Sequence, residues 1–362
     1  SQVMYCLKSC TGHLTVPNIS KILSSEVVLL KIAVVTSALK NYKDPNAKRQ
    51  AQVTCEAVAQ ALSDLNYDVK LIEAGPQLLL DLEAAQPDAV FNIATSYRTR
   101  QDQANIAAML ELSGIPFTGS GSAAHFTGLH KHMAKMTFTA NGIPTPRFEV
   151  IYDSRHIENG IDTLINELAK PVIVKPAAEG SSVGIYPESV TEDPEHAKYM
   201  AQRLLESLEQ PVLVEEYIAG REFTVAVVGY PEPVALPVEE IVFDSHGMYT
   251  YDVKARDNVT PVCPARIPEK LSRKLQDMAV RAFKAVGCRD IARVDIRLCK
   301  HQRRPFALEI NTLPGLMPKY SEVPRIAEAA GISYPELIHM ILQGALQRGN
   351  NAHRRQDQLR AG

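Results

Sequence analysis

The stretch ARVDIRLCKHQRRPFALEINTLPG, residues 292–315, contains two short apolar runs that are joined by a polar connection ending in proline. Each run is apolar enough to be a buried strand, and the connection is typical of a hairpin. Side chains along a strand alternate between its two faces. The packed face is therefore expected to carry Val294, Ile296 and Leu298 from the first strand and Phe306, Leu308 and Ile310 from the second.

The opposite face of the predicted hairpin is polar. If the two strands pair, Asp295, Glu309 and Asn311 lie close together on that face, which they share with Ala307. Two carboxylates and an amide oxygen are hard ligands that suit Mg²⁺, which also keeps waters and binds substrate phosphates. The pattern therefore favours a divalent-metal site. An ordinary solvated sheet face is the alternative that the local pattern leaves open.

Length and composition indicate a globular protein with two or three domains. The chain has 362 residues, of which 45% are hydrophobic and 22% are charged, and this length exceeds that of one compact core. The formal charge of −2 argues against nucleic acid as the main partner, because binding along a phosphate backbone needs a basic excess. No apolar run approaches the roughly 18 residues of a membrane span. We therefore expect neither nucleic acid nor a membrane as a partner.

The N-terminal segment and the cysteines favour a cytoplasmic protein. The segment SQVMYCLKSCTGHL lacks the apolar core of about 7–15 residues that a secretory signal contains. The cysteine spacings suit no zinc site, and we expect all six thiols to be reduced. They are Cys6, Cys10, Cys55, Cys263, Cys288 and Cys299.

The first third of the chain alternates predicted strands with predicted helices. LLKIAVVTS is a predicted buried strand, and the helix after it has Asp44 at the N-cap and Pro45 in the first turn. YDVKLIEAG and DAVFNIA are further strands, QDQANIAAMLELSG is a helix, and IPFTGSG is a strand that leads into a glycine turn. The alternation predicts a parallel, doubly wound sheet over residues 28–120.

The pattern changes after a predicted helix at residues 122–141. Five short strands follow, separated by Gly and Pro, and they predict an antiparallel α+β unit: RFEVI, PVIVKP, SVGIYP, QPVLVEEYI and EFTVAVVG. The helix PEKLSRKLQDMAVRAFKAVG is expected to stop at Gly287. SYPELIHMILQGAL is the last predicted helix, and a polar tail follows it.

The segment VIVKPAAEGSSVG, residues 172–184, joins a predicted strand to a turn of glycine and serine. Glycine lacks the Cβ that would keep a phosphate away from the backbone N–H groups, so such a turn is able to cover a polyphosphate. The segment is not a Walker A loop, because no Gly-Lys-Ser/Thr ends it and no helix follows. A plain hairpin is the alternative.

Four blocks of sequence resemble the ATP-grasp enzymes, and specifically the D-alanine:D-alanine ligases. The blocks are KPVIVKPAAEGSSVGI, VLVEEYIAGREFTVAVVG, ARVDI and ALEINTLPG, and MLELSGIPFTGSG and KHMAK extend the match. The resemblance implies a multidomain α/β and α+β chain with an ATP-grasp fold. The expected parts are an N-terminal extension at 1–27, a Rossmann-like pre-ATP-grasp domain at 28–120, a central ATP-grasp subdomain at 121–213, a C-terminal ATP-grasp subdomain with the metal site at 214–345, and a polar tail at 346–362.

The resemblance assigns the contacts with ATP by position. It implies two lysines at the phosphates, a flap over them, a segment at the adenine and a glutamate at the ribose. The phosphate lysines are Lys131 and Lys175, and the flap consists of Ser181, Ser182 and Val183. The adenine segment contains Glu215, Glu216 and Ile218, and the ribose glutamate is Glu222.

The resemblance also assigns metal ligands and catalytic groups. The metal ligands bind two Mg²⁺ (or Mn²⁺) ions, the oxyanion is stabilised by an arginine and a backbone N–H, and a lid at residues 243–264 supplies a lysine that faces the phosphates. The metal ligands are Asp295, Glu309 and Asn311, the oxyanion groups are Arg293 and Gly315, and the lid lysine is Lys254. The residues expected near the acceptor substrate are Lys319, Tyr320 and Ser321. Ser181 of the flap is also counted among the catalytic residues.

The implied reaction is the ATP-dependent ligation of a carboxylate to an amine through an acylphosphate, with release of ADP and phosphate. A carboxylate that attacks ATP must overcome the repulsion between two anions, so such a site needs metals and cationic side chains. The expected partners are therefore a small-molecule acid and an amine. A homodimer is expected from the resemblance alone.

The chain departs from the family where the first substrate binds. ATSYRTRQDQ replaces the family's His-Gly-x-x-Gly-Glu-Asp segment and puts Tyr97, Arg98 and Arg100 near that site, and Ala255 replaces a lid tyrosine. Guanidinium groups bind carboxylates at two points, so the change favours an anionic or larger donor, unless the arginines are exposed charges at a helix start. We expect a ligase of specialised metabolism that joins an amino acid to another small acid. D-Alanine–D-alanine ligation for peptidoglycan is the alternative, and a non-catalytic ATP-binding sensor is a second one.

Overall fold

Three β-sheets and the helices packed on them form the described part of the chain. None of the described helices is both long and apolar enough to cross a membrane. The described cysteines Cys55, Cys263, Cys288 and Cys299 are free thiols, and Cys6 and Cys10 lie outside the described residues. The computed structural model describes residues 29–42, 44–168, 171–179, 183–243, 259–301 and 304–361.

The first sheet is parallel, with strand order β2-β1-β3, as the alternation of strands and helices predicts. The Asp44 carboxylate caps the first helix by accepting a hydrogen bond of 2.9 Å from the Asn46 backbone N–H, and Pro45 occupies the first turn. IPFTGSG contributes one isolated bridge, between Val90 and Phe117. The elements are β1 (Lys31–Thr36), α1 (Pro45–Asp64), β2 (Asp68–Glu73), α2 (Leu78–Ala85), β3 (Ala89–Asn92) and α3 (Asp102–Ser113).

The helix predicted at residues 122–141 is two helices, α4 (Ser122–Leu129) and α5 (Lys131–Ala140). His130 between them has an extended backbone, with φ −85° and ψ 98°. The Lys131 backbone N–H donates to the Ala177 carbonyl at 2.8 Å instead of continuing α4. The break therefore fixes Lys131 at the start of α5, against the chain that follows the central sheet.

The central sheet is antiparallel, with strand order β4-β7-β5-β6. SVGIYP is not a strand, and that prediction was wrong: its described residues form a turn, after which Pro187–Ser189 is a short 3₁₀ helix. The boundary expected between residues 213 and 214 falls inside β7, which pairs with both β4 and β5. The elements are β4 (Phe148–Ile151), α6 (Arg155–Leu168), β5 (Val172–Pro176), β6 (Val190–Thr191), α7 (Pro194–Leu208) and β7 (Val212–Glu216).

The third sheet is also antiparallel, with strand order β11-β10-β8-β12-β13 and β9 paired to β8. The helix α8 (Glu269–Val286) buries Leu275 and Phe283 in the same core as Val294 of β12. Gly287 ends α8 in the left-handed region, with φ 77°, as the sequence predicts. The strands are β8 (Gly220–Gly229), β9 (Val234–Ala235), β10 (Glu239–Phe243), β11 (Val259–Val262), β12 (Asp290–Cys299) and β13 (Pro305–Asn311).

Two helices complete the chain, α9 (Glu322–Ala329) and α10 (Tyr334–Ala361). The helix α10 continues through the residues expected to form a polar tail. Arg348 in this part donates two hydrogen bonds, of 2.5 and 2.6 Å, to the carboxylate of Asp290 at the start of β12. Asp290 is fully buried, so the predicted tail contributes a counter-ion to the folded domain.

Replacing Arg348 by Met is expected to lower the free energy of unfolding by about 3–5 kcal/mol, because it leaves a buried carboxylate without its cation. Gln347→Met is the matched control, since Gln347 is exposed on the same helix turn. Urea unfolding of both variants measures the difference. Equal transition midpoints for the two variants would show that the Asp290 pair contributes nothing to stability.

Candidate active site

The hairpin of β12 and β13 pairs as expected, with one irregularity. Asp295 lies opposite Glu309, but the next pair is Ile296 with Ala307, so a β-bulge leaves Leu308 without a partner. Leu308 and Glu309 both line a cavity, whereas Ala307 is in the core. The expectation that Leu308 is packed and Ala307 faces the polar side was therefore wrong, because the extra residue shifts the alternation by one.

The cavity has a volume of about 680 Å³ and lies where the three sheets and α9 meet. Most of the residues expected at the ATP, metal and acceptor sites line it, and so does one of the three expected at the first-substrate site. They are Arg100, Lys131, Lys175, Glu215, Glu216, Ile218, Glu222, Arg293, Asp295, Glu309, Asn311, Gly315, Lys319, Tyr320 and Ser321.

Some expected site residues are placed elsewhere. Tyr97 and Arg98 do not line the cavity; the Arg98 guanidinium lies over the Tyr97 ring at 5.6 Å. Val183 lies in the turn after β5 and does not line it either, although the neighbouring Ile185 does. Ser181, Ser182, Lys254 and residues 244–258 of the expected lid lie outside the described residues.

Asp295 is held by four hydrogen bonds. The Arg293 Nε and Nη2 groups donate to its two oxygens at 3.0 and 2.9 Å. Thr224 donates through its hydroxyl at 2.6 Å, and Asn311 through its amide nitrogen at 3.0 Å. Burial raises the pKa of Asp295, and Arg293 opposes this shift. The carboxylate is therefore fixed in position at the cavity wall.

Glu309 forms an ion pair with Lys131 at the cavity, with 3.0 Å between Oε2 and Nζ. Burial alone would raise the pKa of Glu309, but Lys131 and Lys175 hold it below its ordinary value. Glu309 is thus ionised at neutral pH.

The donor set on this wall fits a divalent cation. Asp295 and Glu309 are cross-strand neighbours, and Asn311 follows on the same strand. All three are oxygen-bearing groups that face the cavity, which suits Mg²⁺ or Mn²⁺. Lys131 and Arg293 compensate the same carboxylates, so a bound cation would share these anions with them.

Lys175 and Glu215 lie beside this wall and form an ion pair of 2.5 Å. A second lysine, Lys135, contacts the other oxygen of Glu215 at 2.8 Å. Burial lowers the pKa of Lys135 to about 8, against the opposing effect of Glu215. Lys135 was not predicted from sequence, although its spacing of four from Lys131 puts both lysines on one side of α5.

At another end of the cavity, Glu222 accepts a hydrogen bond from the Arg297 Nη2 group. The Arg297 guanidinium also lies 5.6 Å from the centre of the Tyr217 ring. Both Arg297 and Tyr217 line the cavity. Neither residue was predicted from sequence, although strand alternation puts Arg297 on the same face as Asp295.

The loop after β13 approaches the start of α9 closely. A Cβ at Gly315 would lie 2.6 Å from the Ser321 Oγ atom, so a larger residue at this position would displace the Ser321 hydroxyl. Glu322 in the first turn of α9 accepts a hydrogen bond of 2.9 Å from the Arg293 Nη1 group. Arg325 lines the cavity and pairs with the buried Glu239 at 2.9 Å. Glu322 and Arg325 were also missed from sequence.

The first domain contributes a wall of neutral polar groups and one cation. Among the described lining residues of this domain there is no carboxylate. Arg100, at the loop before α3, is its cationic residue. The polar members are Thr36, Ser37, Tyr42, Gln50, Thr54, Thr95, Ser96 and Arg100.

Comparisons with known proteins agree on one family. The family model described as "D-ala D-ala ligase C-terminus" matches residues 137–343. The D-alanine–D-alanine ligase of Bordetella petrii is 38% identical over 292 residues, which cover 80% of this chain and 86% of that protein. The D-alanine–D-alanine ligase of Desulforamulus reducens is 35% identical over 300 residues, covering 81% and 92%.

The fold is shared with solved structures. The crystal structure of D-alanine–D-alanine ligase from Bacillus anthracis, complexed with ATP, superposes with a TM-score of 0.72. The match covers 89% of this chain and 99% of that one at 22% sequence identity. At this identity the likeness shows the fold alone.

Proposed function

The chain belongs to the D-alanine–D-alanine ligase family of ATP-grasp enzymes, and we propose on that premise that it joins two molecules of D-alanine at the expense of ATP. The predictions of an ATP-grasp fold and of an ATP-grasp ligase are confirmed. The expectation of a role in specialised metabolism is less well supported than its alternative, because relatives that match four fifths of the chain are D-alanine–D-alanine ligases.

The observation that carries the proposal is the charge arrangement at the hairpin. Asp295 and Glu309 face each other across two strands, and Lys131, Lys175 and Arg293 line the same cavity. An anionic carboxylate and an anionic triphosphate repel each other, so their reaction needs cations around the transferring phosphoryl group. The two carboxylates would hold metal ions, which would add further positive charge beside the phosphates.

We assign the nucleotide contacts on the same basis. Lys131 and Lys175 bind phosphates, and Glu222 accepts hydrogen bonds from the ribose hydroxyls. The adenine lies against the segment that contains Glu215, Glu216 and Ile218, next to Leu308 on the bulge. Two Mg²⁺ (or Mn²⁺) ions held by Asp295, Glu309 and Asn311 would neutralise phosphate oxygens and orient the terminal group. The flap assignment of Ser181, Ser182 and Val183 remains a prediction.

The first step transfers the terminal phosphoryl group of ATP to the donor carboxylate, which gives an acylphosphate and ADP. The acceptor amine then attacks the acyl carbon, loses its proton and displaces phosphate. The Arg293 guanidinium and the Gly315 backbone N–H stabilise the oxyanion of this step. We assign Lys319, Tyr320 and Ser321, which line the cavity, to the acceptor. The lid with Lys254, which would exclude water, remains a prediction.

A second candidate function differs in the donor. The described first-domain wall offers hydroxyls, an amide and the Arg100 guanidinium, but no carboxylate to pair with the ammonium group of an amino acid. Such a wall suits an acid without a free ammonium group, or one with a second carboxylate. The reaction would still be ATP-dependent ligation through an acylphosphate.

A phosphate-release screen distinguishes the candidates. With ATP and Mg²⁺, we expect ADP and phosphate to form with D-alanine alone, since it serves as both substrates. Turnover only with another acid and an amine would favour the second candidate. ATP and Mg²⁺ without D-alanine, or without the amine where acid and amine differ, is the control for simple hydrolysis. If ATP binds but no acid and amine pair gives turnover, the ligase proposal fails. A homodimer and a cytoplasmic location remain proposals that rest on the family resemblance.

A further inference from the structure

Glu215 is held by two lysines that differ in their access to the cavity. The Glu215 side chain is almost fully buried. Its Oε1 atom lies 2.5 Å from the Lys175 Nζ atom, and its Oε2 atom lies 2.8 Å from the Lys135 Nζ atom. Lys175 lines the cavity, whereas Lys135 does not and is 0% exposed. One carboxylate therefore has one cation on the substrate side and one inside the protein.

Lys135 is enclosed by groups that hold its ammonium in place. The Thr145 hydroxyl accepts a hydrogen bond from Nζ at 3.0 Å. The Phe148 ring has its centre 5.9 Å from Nζ, on β4 of the central sheet. These contacts and the lack of exposure mean that Lys135 cannot touch a substrate in the cavity. Its direct contact with a residue that lines the cavity is the ion pair with Glu215.

We propose that Lys135 is a positioning residue: it neutralises the Glu215 carboxylate when Lys175 moves from Glu215 to the phosphates of ATP. This role rests on the ATP site proposed above. A buried carboxylate that loses its partner cation is strongly disfavoured. With Lys135 in place, Lys175 is able to exchange Glu215 for a phosphate while Glu215 keeps one cation.

Without Lys135 the same exchange becomes unfavourable. Among the described residues, Lys175 is then the cation that remains in ion-pair contact with Glu215. Its move to a phosphate would leave Glu215 buried and uncompensated. Lys175 would therefore stay on Glu215, and the affinity for the triphosphate would fall although no residue that touches ATP has changed.

The variant Lys135→Met tests this, because methionine keeps the length and apolar stem of the side chain but removes the charge. Calorimetric titration with ATP, without donor or acceptor, is expected to show a Kd raised by roughly 10- to 100-fold. Adenosine, which has no phosphate, is expected to bind with an affinity within about twofold of the wild type. The KM for ATP should rise, while kcat at saturating ATP changes little.

A double-mutant cycle with Glu215→Gln separates positioning from a merely structural role. Once the carboxylate is absent, Lys175 is no longer held, so Lys135→Met should weaken ATP binding by less than about threefold in the Glu215→Gln background. Lys198→Met is the matched control, because Lys198 on α7 also contacts two carboxylates, those of Asp162 and Glu195, at 2.9 and 3.0 Å. It lies outside the cavity, and its loss should leave the ATP affinity unchanged.

Three results would overturn the role of Lys135. These are an unchanged ATP affinity, an equal loss of ATP and adenosine affinity, and an equal loss in both backgrounds of the cycle. Each would leave the proposed ligase function standing, because binding is measured without turnover. Wild-type protein that binds ATP but ligates nothing would instead refute the proposed function, and the binding cycle would still decide the role of Lys135.

Discussion

Replacing Glu309 by Gln is expected to lower kcat by on the order of 10²- to 10³-fold. Glutamine keeps the shape of the side chain but removes the charge that faces Lys131 at 3.0 Å. It also removes one of the two carboxylates that would hold the metal ions. Steady-state ADP release at saturating ATP and D-alanine measures the loss. The Mg²⁺ concentration at half-maximal rate should rise in the same assay, since a neutral amide is a weaker ligand for a hard cation.

Glu240→Gln is the matched control for this variant. Glu240 is on the same sheet, and its carboxylate pairs with Arg221 at 2.6 Å, but it does not line the cavity. Its loss should leave kcat and the Mg²⁺ dependence unchanged. A Glu309→Gln enzyme with wild-type kcat and wild-type Mg²⁺ dependence would exclude the carboxylate as a metal ligand, and with it the central assignment of the site.

The grouping of the proposed metal ligands was predictable because these residues lie close together in sequence. Alternation along two adjacent strands is enough to bring Asp295, Glu309 and Asn311 to one face. The β-bulge at Leu308 was not predictable, because the sequence of an apolar run does not show where one extra residue shifts the alternation. The error affected Ala307 and Leu308 and left Asp295, Glu309 and Asn311 on the polar face, because the extra residue lies in β13 just before Glu309.

Buried charged residues whose partners are far away in sequence were not predicted. Lys135 is one of several lysines in a helical pattern, and its partner Glu215 lies on β7, about 80 residues further along the chain. Arg348 lies in a polar segment whose composition suggests a tail, but its partner Asp290 starts a buried strand. A charged residue is normally assigned to the surface, and only tertiary contacts reveal the exceptions.

The break between α4 and α5 shows the same limit in the backbone. Helical periodicity continues through His130, so sequence predicts one helix. In the fold, the Lys131 backbone N–H bonds to Ala177, and Gly128 allows α4 to approach the loop after β13, where a Cβ would lie 2.5 Å from the Thr312 Cγ2 atom. Contacts with other parts of the chain thus decide where the helix ends.

Replacing Arg293 by Lys is expected to lower kcat by on the order of 10²- to 10³-fold although the positive charge is kept. The guanidinium bridges Asp295, through Nε and Nη2, and Glu322, through Nη1, at 2.9 to 3.0 Å. Burial alone would lower the pKa of Arg293, but Asp295 and Glu322 hold it well above its ordinary value. Lysine is a point charge on a flexible chain, so it cannot bridge both carboxylates and also face the reacting oxygens.

A comparison of ATP affinity with kcat in the Arg293→Lys variant identifies the step in which Arg293 acts. If it acts on the oxyanion, ATP affinity measured by calorimetry should change far less than kcat, because that charge develops only in the transition state. Arg221→Lys is the matched control: its guanidinium makes a comparable fork to Glu240 at 2.6 Å on the same sheet but lies outside the cavity. An Arg293→Lys enzyme that kept wild-type kcat would show that charge alone suffices at this position, and the forked geometry of the guanidinium would have no part in the reaction.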